Sequence, residues 1–163
     1  MTSAETHITI RTAKPEDVNN IFILIQELAI FEKALHEVTN TPEQLLADGF
    51  GENPLFSCLI AEIENEVVGM SFYYFRYSTW KGKRLYLEDL IVKENYRNRQ
   101  IGRLLLEATM QESLTTNCSG MVWQVLDWNE PAIKFYQKYQ AAFDGEWLNV
   151  SLNKQQIVDF FEN

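Results

Sequence analysis

The chain has 163 residues, 46% apolar and 23% charged, enough for one soluble globular domain with its own core. Its 14 Lys+Arg against 23 Asp+Glu give a net charge of −9, which argues against general nucleic-acid binding; it suits a small cationic molecule, but on charge alone a role in solubility is the favoured reading. No apolar run approaches the roughly 18 residues of a membrane span, no basic-then-apolar leader opens the chain, and Cys58 and Cys118 form neither a metal-ligand pattern nor a disulfide framework.

These features predict a cytoplasmic protein with reduced thiols and no metal. The first six residues are small or polar and are expected to fray. Residues 7–12 (HITIRT) alternate as a short strand. Pro15 opens a helix whose apolar face is Val18, Ile21, Phe22, Ile25, Leu28 and Ala29, with helix-compatible sequence to about residue 37. Thr41 then caps a short helix, with Pro42 in its first turn, Gln44 three residues after the cap and Gly49 as its stop. Strand-like runs follow at 56–63, 67–77 and 84–92, the first two spaced as a hairpin.

Leu104, Leu105 and Ala108 mark the inner face of a helix over 102–114, and 119–126 reads as a strand. Residues 129–139 read as a helix, with Asn129 as cap and Pro131 in the first turn. A last strand at 147–152 and a terminal helix at 153–161 complete the order β-α-α-β-β-β-α-β-α-β-α. That order predicts a mixed α/β sheet in a single domain spanning 1–163. The passage from 84–92 through the helix to 119–126 is a crossover between parallel strands.

The crossover begins with Tyr96-Arg97-Asn98-Arg99-Gln100-Ile101-Gly102-Arg103. Unpaired N–H groups and the dipole at a helix N-terminus attract anions, and arginine suits phosphate geometry. Neither G-x-x-x-x-G-K-[ST] nor G-x-G-x-x-G is present, so the loop alone reads equally as a phosphate site or as a solvated turn.

With its flanks the loop says more. Leu85-Tyr86-Leu87-Glu88-Asp89-Leu90-Ile91-Val92 followed by this loop resembles the acetyl-CoA-binding core of the GNAT acyltransferase superfamily. Asp48-Gly49-Phe50-Gly51-Glu52-Asn53-Pro54, Trp128-Asn129-Glu130-Pro131-Ala132 and Phe135-Tyr136 resemble the diamine (spermidine/spermine) N-acetyltransferase family. Ser78-Thr79-Trp80-Lys81-Gly82 and Val125-Leu126-Asp127-Trp128-Asn129 are most similar to the branch acting on thialysine. The resemblance runs from about Ile10 to Trp147. It implies a twisted mixed sheet with helices on both faces. It also implies acetyl transfer from acetyl-CoA to a small primary amine (a diamine, polyamine or lysine analogue), and a homodimer.

Two positions depart from the family pattern. Gln100 stands where the family has glycine; with negative φ it can still offer its N–H, so acetyl-CoA binding is expected to survive. Gln140 stands in the helix exit, where a glycine stop is usual, so that turn is expected to differ.

By the resemblance, Tyr136 is the general acid for the departing thiolate. Glu88 is the proton acceptor, through a water, and also faces the amine. Strand alternation puts Glu88 and Asp89 on opposite faces, with Asp89 structural and paired to Arg84 or Arg11. The backbone of Leu90, Ile91 and Val92 is expected to bind the pantetheine arm, and Arg97, Asn98, Arg99, Gln100, Ile101, Gly102 and Arg103 the pyrophosphate. Asn129, Pro131 and Ala132 complete the acetyl-CoA contacts together with Tyr136. Phe31, Glu32, Trp80 and Trp123 are the candidates for the amine, aromatic rings and a carboxylate being what a cation prefers. Ser78 stands where the polyamine-preferring branch carries an acid, which favours a shorter amine or a lysine analogue. A CoA-binding module without catalysis, motivated by Gln100, and a protein-lysine acetyltransferase are the alternatives.

Overall fold

The computed structural model describes residues 7–162, and the expected fraying of the first six residues lies outside them. Contacts divide the chain into two units, 1–124 and 125–163. The first contains a five-stranded sheet in the order β1-β2-β3-β4-β5. These strands are β1 (Ile8–Thr12), β2 (Ser57–Ile63), β3 (Glu66–Ser78), β4 (Gly82–Val92) and β5 (Met121–Val122). Neighbours are antiparallel except β4 and β5, which are parallel.

Three helices belong to this unit: α1 (Val18–Phe31), α2 (Pro42–Phe50) and α3 (Ile101–Thr115). Val18, Ile21 and Leu24 of α1 and Leu45 of α2 share a core with Cys58, Ile60, Met70, Phe72 and Ile91 of the sheet. On the other face Ser71 meets Thr109 of α3 at 2.6 Å, and the Thr109 hydroxyl donates to the Leu105 carbonyl at 2.8 Å. Each of these two buried hydroxyls therefore has a partner, as burial demands. With helices on both faces, Val67–Tyr73 of β3 is buried at every position rather than at alternate ones.

The sequence-predicted helix starts hold, with refinements. Pro15 opens a 3-10 turn (Pro15–Asp17) that runs into α1, and α1 stops at Phe31, with Lys33 at φ 59°. Thr41 caps α2 by accepting from the Gln44 N–H at 3.1 Å. Gly49 is not the stop of α2, which continues to Phe50. A Cβ at Gly49 would run into the Phe56 ring, so glycine is there to admit that ring.

Arg11 ties β1 to the turn before α1. Its guanidinium donates to both carboxylate oxygens of Asp17 (2.7 and 2.9 Å) and to Glu62 of β2 (2.8 and 3.0 Å). The Lys14 N–H also donates to Asp17 at 2.7 Å. These bonds hold the Asp17 carboxyl below its ordinary range despite its burial.

The second unit contains α4 (Glu130–Gln137) and α5 (Lys154–Glu162). The strand expected at 147–152 does not form: no ladder partner pairs with it among the described residues. Alternation supplies strand propensity, but a strand exists only in a ladder. The strand expected over 119–126 is likewise reduced to Met121–Val122.

Candidate active site

In β4 the regular pairing slips by one residue. Leu87 pairs with Tyr73 and Asp89 with Phe72, so Glu88 is an extra residue without a cross-strand partner. Partners across a ladder share a face, whereas neighbours along a strand do not. Phe72 belongs to the α1 face, and Tyr74, two residues on, shares it; their partners Asp89 and Tyr86 therefore lie on that face too. Glu88 joins them, since its charge raises the hydroxyl pKa of Tyr74 and Tyr86 and the carboxyl pKa of Asp89, after burial in each case. The expectation that Glu88 and Asp89 face opposite ways is thus corrected, because the bulge absorbs one step of the alternation.

The expected pairing of Asp89 is corrected as well. Arg11 is committed to Asp17 and Glu62, and Arg84 donates to the Met121 carbonyl at 3.0 Å. Burial pushes the Asp89 carboxyl up to about 7, with Glu88 and then Glu32 adding to the rise. Burial also raises Glu88 and Glu32, the latter from the end of α1. Glu32, Glu88 and Asp89 are therefore brought together as like charges. Such a group takes up a proton near neutrality or attracts a cation.

Beyond the bulge β4 parts from β5. Parallel pairing is confined to Leu85↔Met121 and Tyr86↔Val122. From Leu87 to Val92, which includes Leu90 and Ile91, that edge of β4 has no strand partner among the described residues. At its end the Arg97 Nε donates to the Val92 carbonyl at 3.1 Å.

The edge leads into the turn before α3. Asn98 and Gln100 both have φ of 63°, so the negative φ expected of Gln100 is corrected. The chain must turn sharply to enter α3, and one left-handed residue at the N-cap does it. For a non-glycine residue this conformation costs about 1–2 kcal/mol. No side chain caps the helix, so first-turn N–H groups of Ile101, Gly102 and Arg103 remain directed past its end. A Cβ at Gly102 would meet only Val92 Cγ2, at an ordinary 3.8 Å, so internal packing does not demand glycine there. This donor set fits a pyrophosphate. Arg97 lies 5.6 Å from the Phe31 ring centroid and Arg99 5.3 Å from that of Tyr96, while Arg103 is 3.9 Å from Glu107.

In the second unit Asn129 caps α4, accepting from the Ala132 N–H at 3.3 Å with Pro131 in the first turn. Tyr136 is buried, and burial pushes its hydroxyl up to about 12. Gln140 has φ 56°, so the exit turn adopts the left-handed conformation a glycine would supply, contrary to the expected difference.

Of the expected amine contacts, Glu32 joins the carboxylate group and Phe31 adjoins Arg97. Trp80 stands in the β3–β4 turn, 85% exposed, and Trp123 follows β5, half-buried. Sequence reasoning overlooked Arg76. Its only sequence signal was a single cation within an otherwise aromatic run, Phe72-Tyr73-Tyr74-Phe75-Arg76-Tyr77.

The model of the acetyltransferase (GNAT) family matches residues 23–141. The chain belongs to the GNAT family. It is an N-acetyltransferase, and GNAT acetyltransferases draw the acetyl group from acetyl-CoA. It is 45% identical over 143 residues to thialysine N-epsilon-acetyltransferase of Mus musculus, covering 83% of this chain and 84% of that one. It is 37% identical over 163 residues to spermidine/spermine N(1)-acetyltransferase-like protein 1 of Homo sapiens, covering 94% of this chain but 24% of that longer protein. Among solved structures, an aminoglycoside acetyltransferase from an uncultured soil metagenomic sample superposes with a TM-score of 0.74 at 19% identity, over 90% of this chain and 95% of that chain. At that identity the likeness is one of fold.

Proposed function

We infer that this GNAT enzyme acetylates a small primary amine, a lysine analogue such as thialysine before a diamine or polyamine. The observation that carries the reading is the β4 bulge, which puts Glu88 and Asp89 on one face next to an open strand edge, where the charge of Glu32 at the end of α1 also reaches Asp89. The 45% identity to a thialysine N-epsilon-acetyltransferase supports the substrate class. Acetyl-CoA lies with its pantetheine arm along Leu90, Ile91 and Val92 and its pyrophosphate on the first turn of α3 and Arg97, Asn98, Arg99 and Arg103. Asn129, Pro131 and Ala132 contribute from α4.

The incoming ammonium, with a reference pKa of about 10.4, must lose a proton before it attacks. Glu88 receives that proton through a water, and burial, which raises its carboxyl pKa, makes it a stronger base. Attack on the thioester carbonyl forms the C–N bond, breaks the C–S bond and expels a thiolate with a reference pKa of about 8.5, while the second N–H proton leaves to solvent or the thiolate. Tyr136 is the acid. Burial keeps it protonated throughout the neutral range, so it holds its hydrogen at the sulfur as charge develops there. Full transfer from a hydroxyl at about 12 would be uphill, so most of its effect is stabilisation of the leaving group.

Both units belong to one acetyltransferase domain in this reading, since the family match crosses their border. Two free cysteines support a reducing, cytoplasmic setting, and no helix among the described residues is long and apolar enough to cross a membrane. A homodimer is part of the reading. Its support is Leu148, Val150 and Leu152, alternating and at least 68% exposed, in a segment that lacks a ladder partner among the described residues. A monomeric mass by sedimentation would remove it.

The test is release of free thiol from acetyl-CoA with thialysine, lysine, diamines, polyamines and lysine-containing peptides. Turnover of a free amine is expected. CoA binding without turnover would leave a non-catalytic module, and turnover of peptides alone a protein-lysine acetyltransferase. Tyr136→Phe is expected to lower kcat by roughly one to two orders of magnitude; an unchanged rate removes Tyr136 from the mechanism.

A further inference from the structure

On the face that carries Glu88, the β3–β4 ladder presents Arg76 opposite Arg84 and, one step nearer the bulge, Tyr74 opposite Tyr86. The two tyrosine rings pack at 5.1 Å between centroids, and the Arg76 guanidinium carbon lies 5.4 Å from the Tyr86 centroid. Arg84 is anchored on the Met121 carbonyl at 3.0 Å. Like charges directly opposite repel, so a fixed Arg84 favours Arg76 leaning over the tyrosines toward the bulge.

Arg76 makes no ion pair among the described residues, although Glu88 lies on the same face. The hydroxyls of Tyr74 and Tyr86 feel both charges, Glu88 raising them and Arg76 lowering them. The tyrosine pair therefore stands between a cation and an anion that do not meet. The Arg76 guanidinium leans over the Tyr86 ring, and Glu88 is two residues beyond Tyr86 and four beyond Arg84, the ladder partner of Arg76, about 13 Å of strand. An extended diamino acid with an ion contact at each end spans a gap of this order, with a short apolar chain that suits the aromatic floor.

We propose that Arg76 binds the α-carboxylate of a diamino-acid substrate whose distal amine lies at Glu88, and that it thereby selects amino acids over polyamines. The proposal rests on the amine-acetyltransferase reading above. A guanidinium offers a carboxylate two parallel N–H donors, the strongest neutralisation an exposed side chain can give it. A polyamine in the same place presents a second ammonium to Arg76 and is disfavoured.

The test compares kcat/KM for lysine, lysine amide and cadaverine, which differ only at the carboxylate end. In the wild type lysine is expected to lead. In Arg76→Gln the lysine-to-cadaverine ratio is expected to fall about tenfold, mainly through the KM for lysine. Arg76→Lys is expected to restore part of the ratio, and Arg76→Glu to invert the preference. A wild type that favours cadaverine, or a ratio that Arg76→Gln leaves intact, overturns the proposal while leaving amine acetylation standing. A wild type that acetylates no free amine overturns the reading beneath it and the proposal with it.

Discussion

Asp17 and Glu62 share one arginine; Glu88 and Asp89 share none. Both pairs lie in the same unit, Glu62 on β2 and Asp17 in the turn before α1, Glu88 and Asp89 on β4. At the β1 end Arg11 takes five side-chain contacts, four of them with the two carboxylates, and Asp17 stays ionised well below its ordinary range. At the bulge burial, then the charge of Glu88 and then that of Glu32, pushes Asp89 up to about 7. The first arrangement is what an acid needs in order to be buried cheaply. The second retains unfavourable charge in the folded protein, which a cationic substrate or a proton relieves. On the proposed reading, the difference separates carboxylates that hold the fold from carboxylates kept ready for chemistry.

Removing one acid from each pair gives the sharpest contrast. Glu88→Gln is expected to lower kcat/KM roughly a hundredfold, as loss of a general base does, while the melting temperature holds or rises because one repulsion is gone. Asp17→Asn is expected to cost about 2–3 kcal/mol of stability, since it leaves the Arg11 network short of a charge, with turnover per folded molecule retained. Urea unfolding and steady-state kinetics on both variants read this directly. If Glu88→Gln lost stability and kept its rate, the bulge acids would be structural and the contrast would collapse.

The two regions also answer pH with opposite signs. Asp17 has a lowered carboxyl pKa in the fold, so its stabilising contribution is present above about pH 4, the unfolded value, and is lost as pH falls through the folded one. Asp89 is raised to about 7. Its unfolded form ionises first, so the folded state holds the extra proton between about pH 4 and 7 and stability declines across that window as pH rises. Asp89→Asn is expected to flatten the decline, by an amount on the order of 1–4 kcal/mol at pH 7. Denaturant midpoints from pH 4 to 8 would show it, and parallel curves for wild type and variant would mean that Asp89 titrates normally.

Much of the scaffold was legible because its causes are local. Thr41 and Asn129 cap their helices, and Pro15, Pro42 and Pro131 mark first turns, because those signals act within three residues. The bulge was not legible. Whether Glu88 or a neighbour is the extra residue is decided by how β4 pairs with β3, and once it is inserted every parity argument along Leu87-Glu88-Asp89 changes. For the same reason 147–152, with a good alternating pattern, is no strand: alternation is local, and no segment among the described residues pairs with it. Glu88 and Tyr136 as site residues came from family likeness rather than from residue physics, whereas Arg76 became visible only once its ladder position was known.

The turn before α3 extends the contrast to the backbone and carries the smallest expected effect. Gln100 at φ 63° keeps a strained conformation at the proposed anion site, much as the bulge keeps unpaired charge at the proposed amine site. Gln100→Gly would relieve strain of about 1–2 kcal/mol, but glycine also gains freedom in the unfolded chain, which offsets most of that. The net change in stability should therefore be within about 0.5 kcal/mol of zero. CoA affinity responds separately: without a Cβ the phosphate approaches the N-cap backbone more closely, and a severalfold lower Kd by calorimetry is expected. Gln100→Val supplies the opposite arm, because a branched side chain tolerates the left-handed region worst and should lower both stability and CoA affinity. If Val is tolerated as well as Gly, the turn is not held left-handed in solution, and the strain assigned to the anion site does not exist.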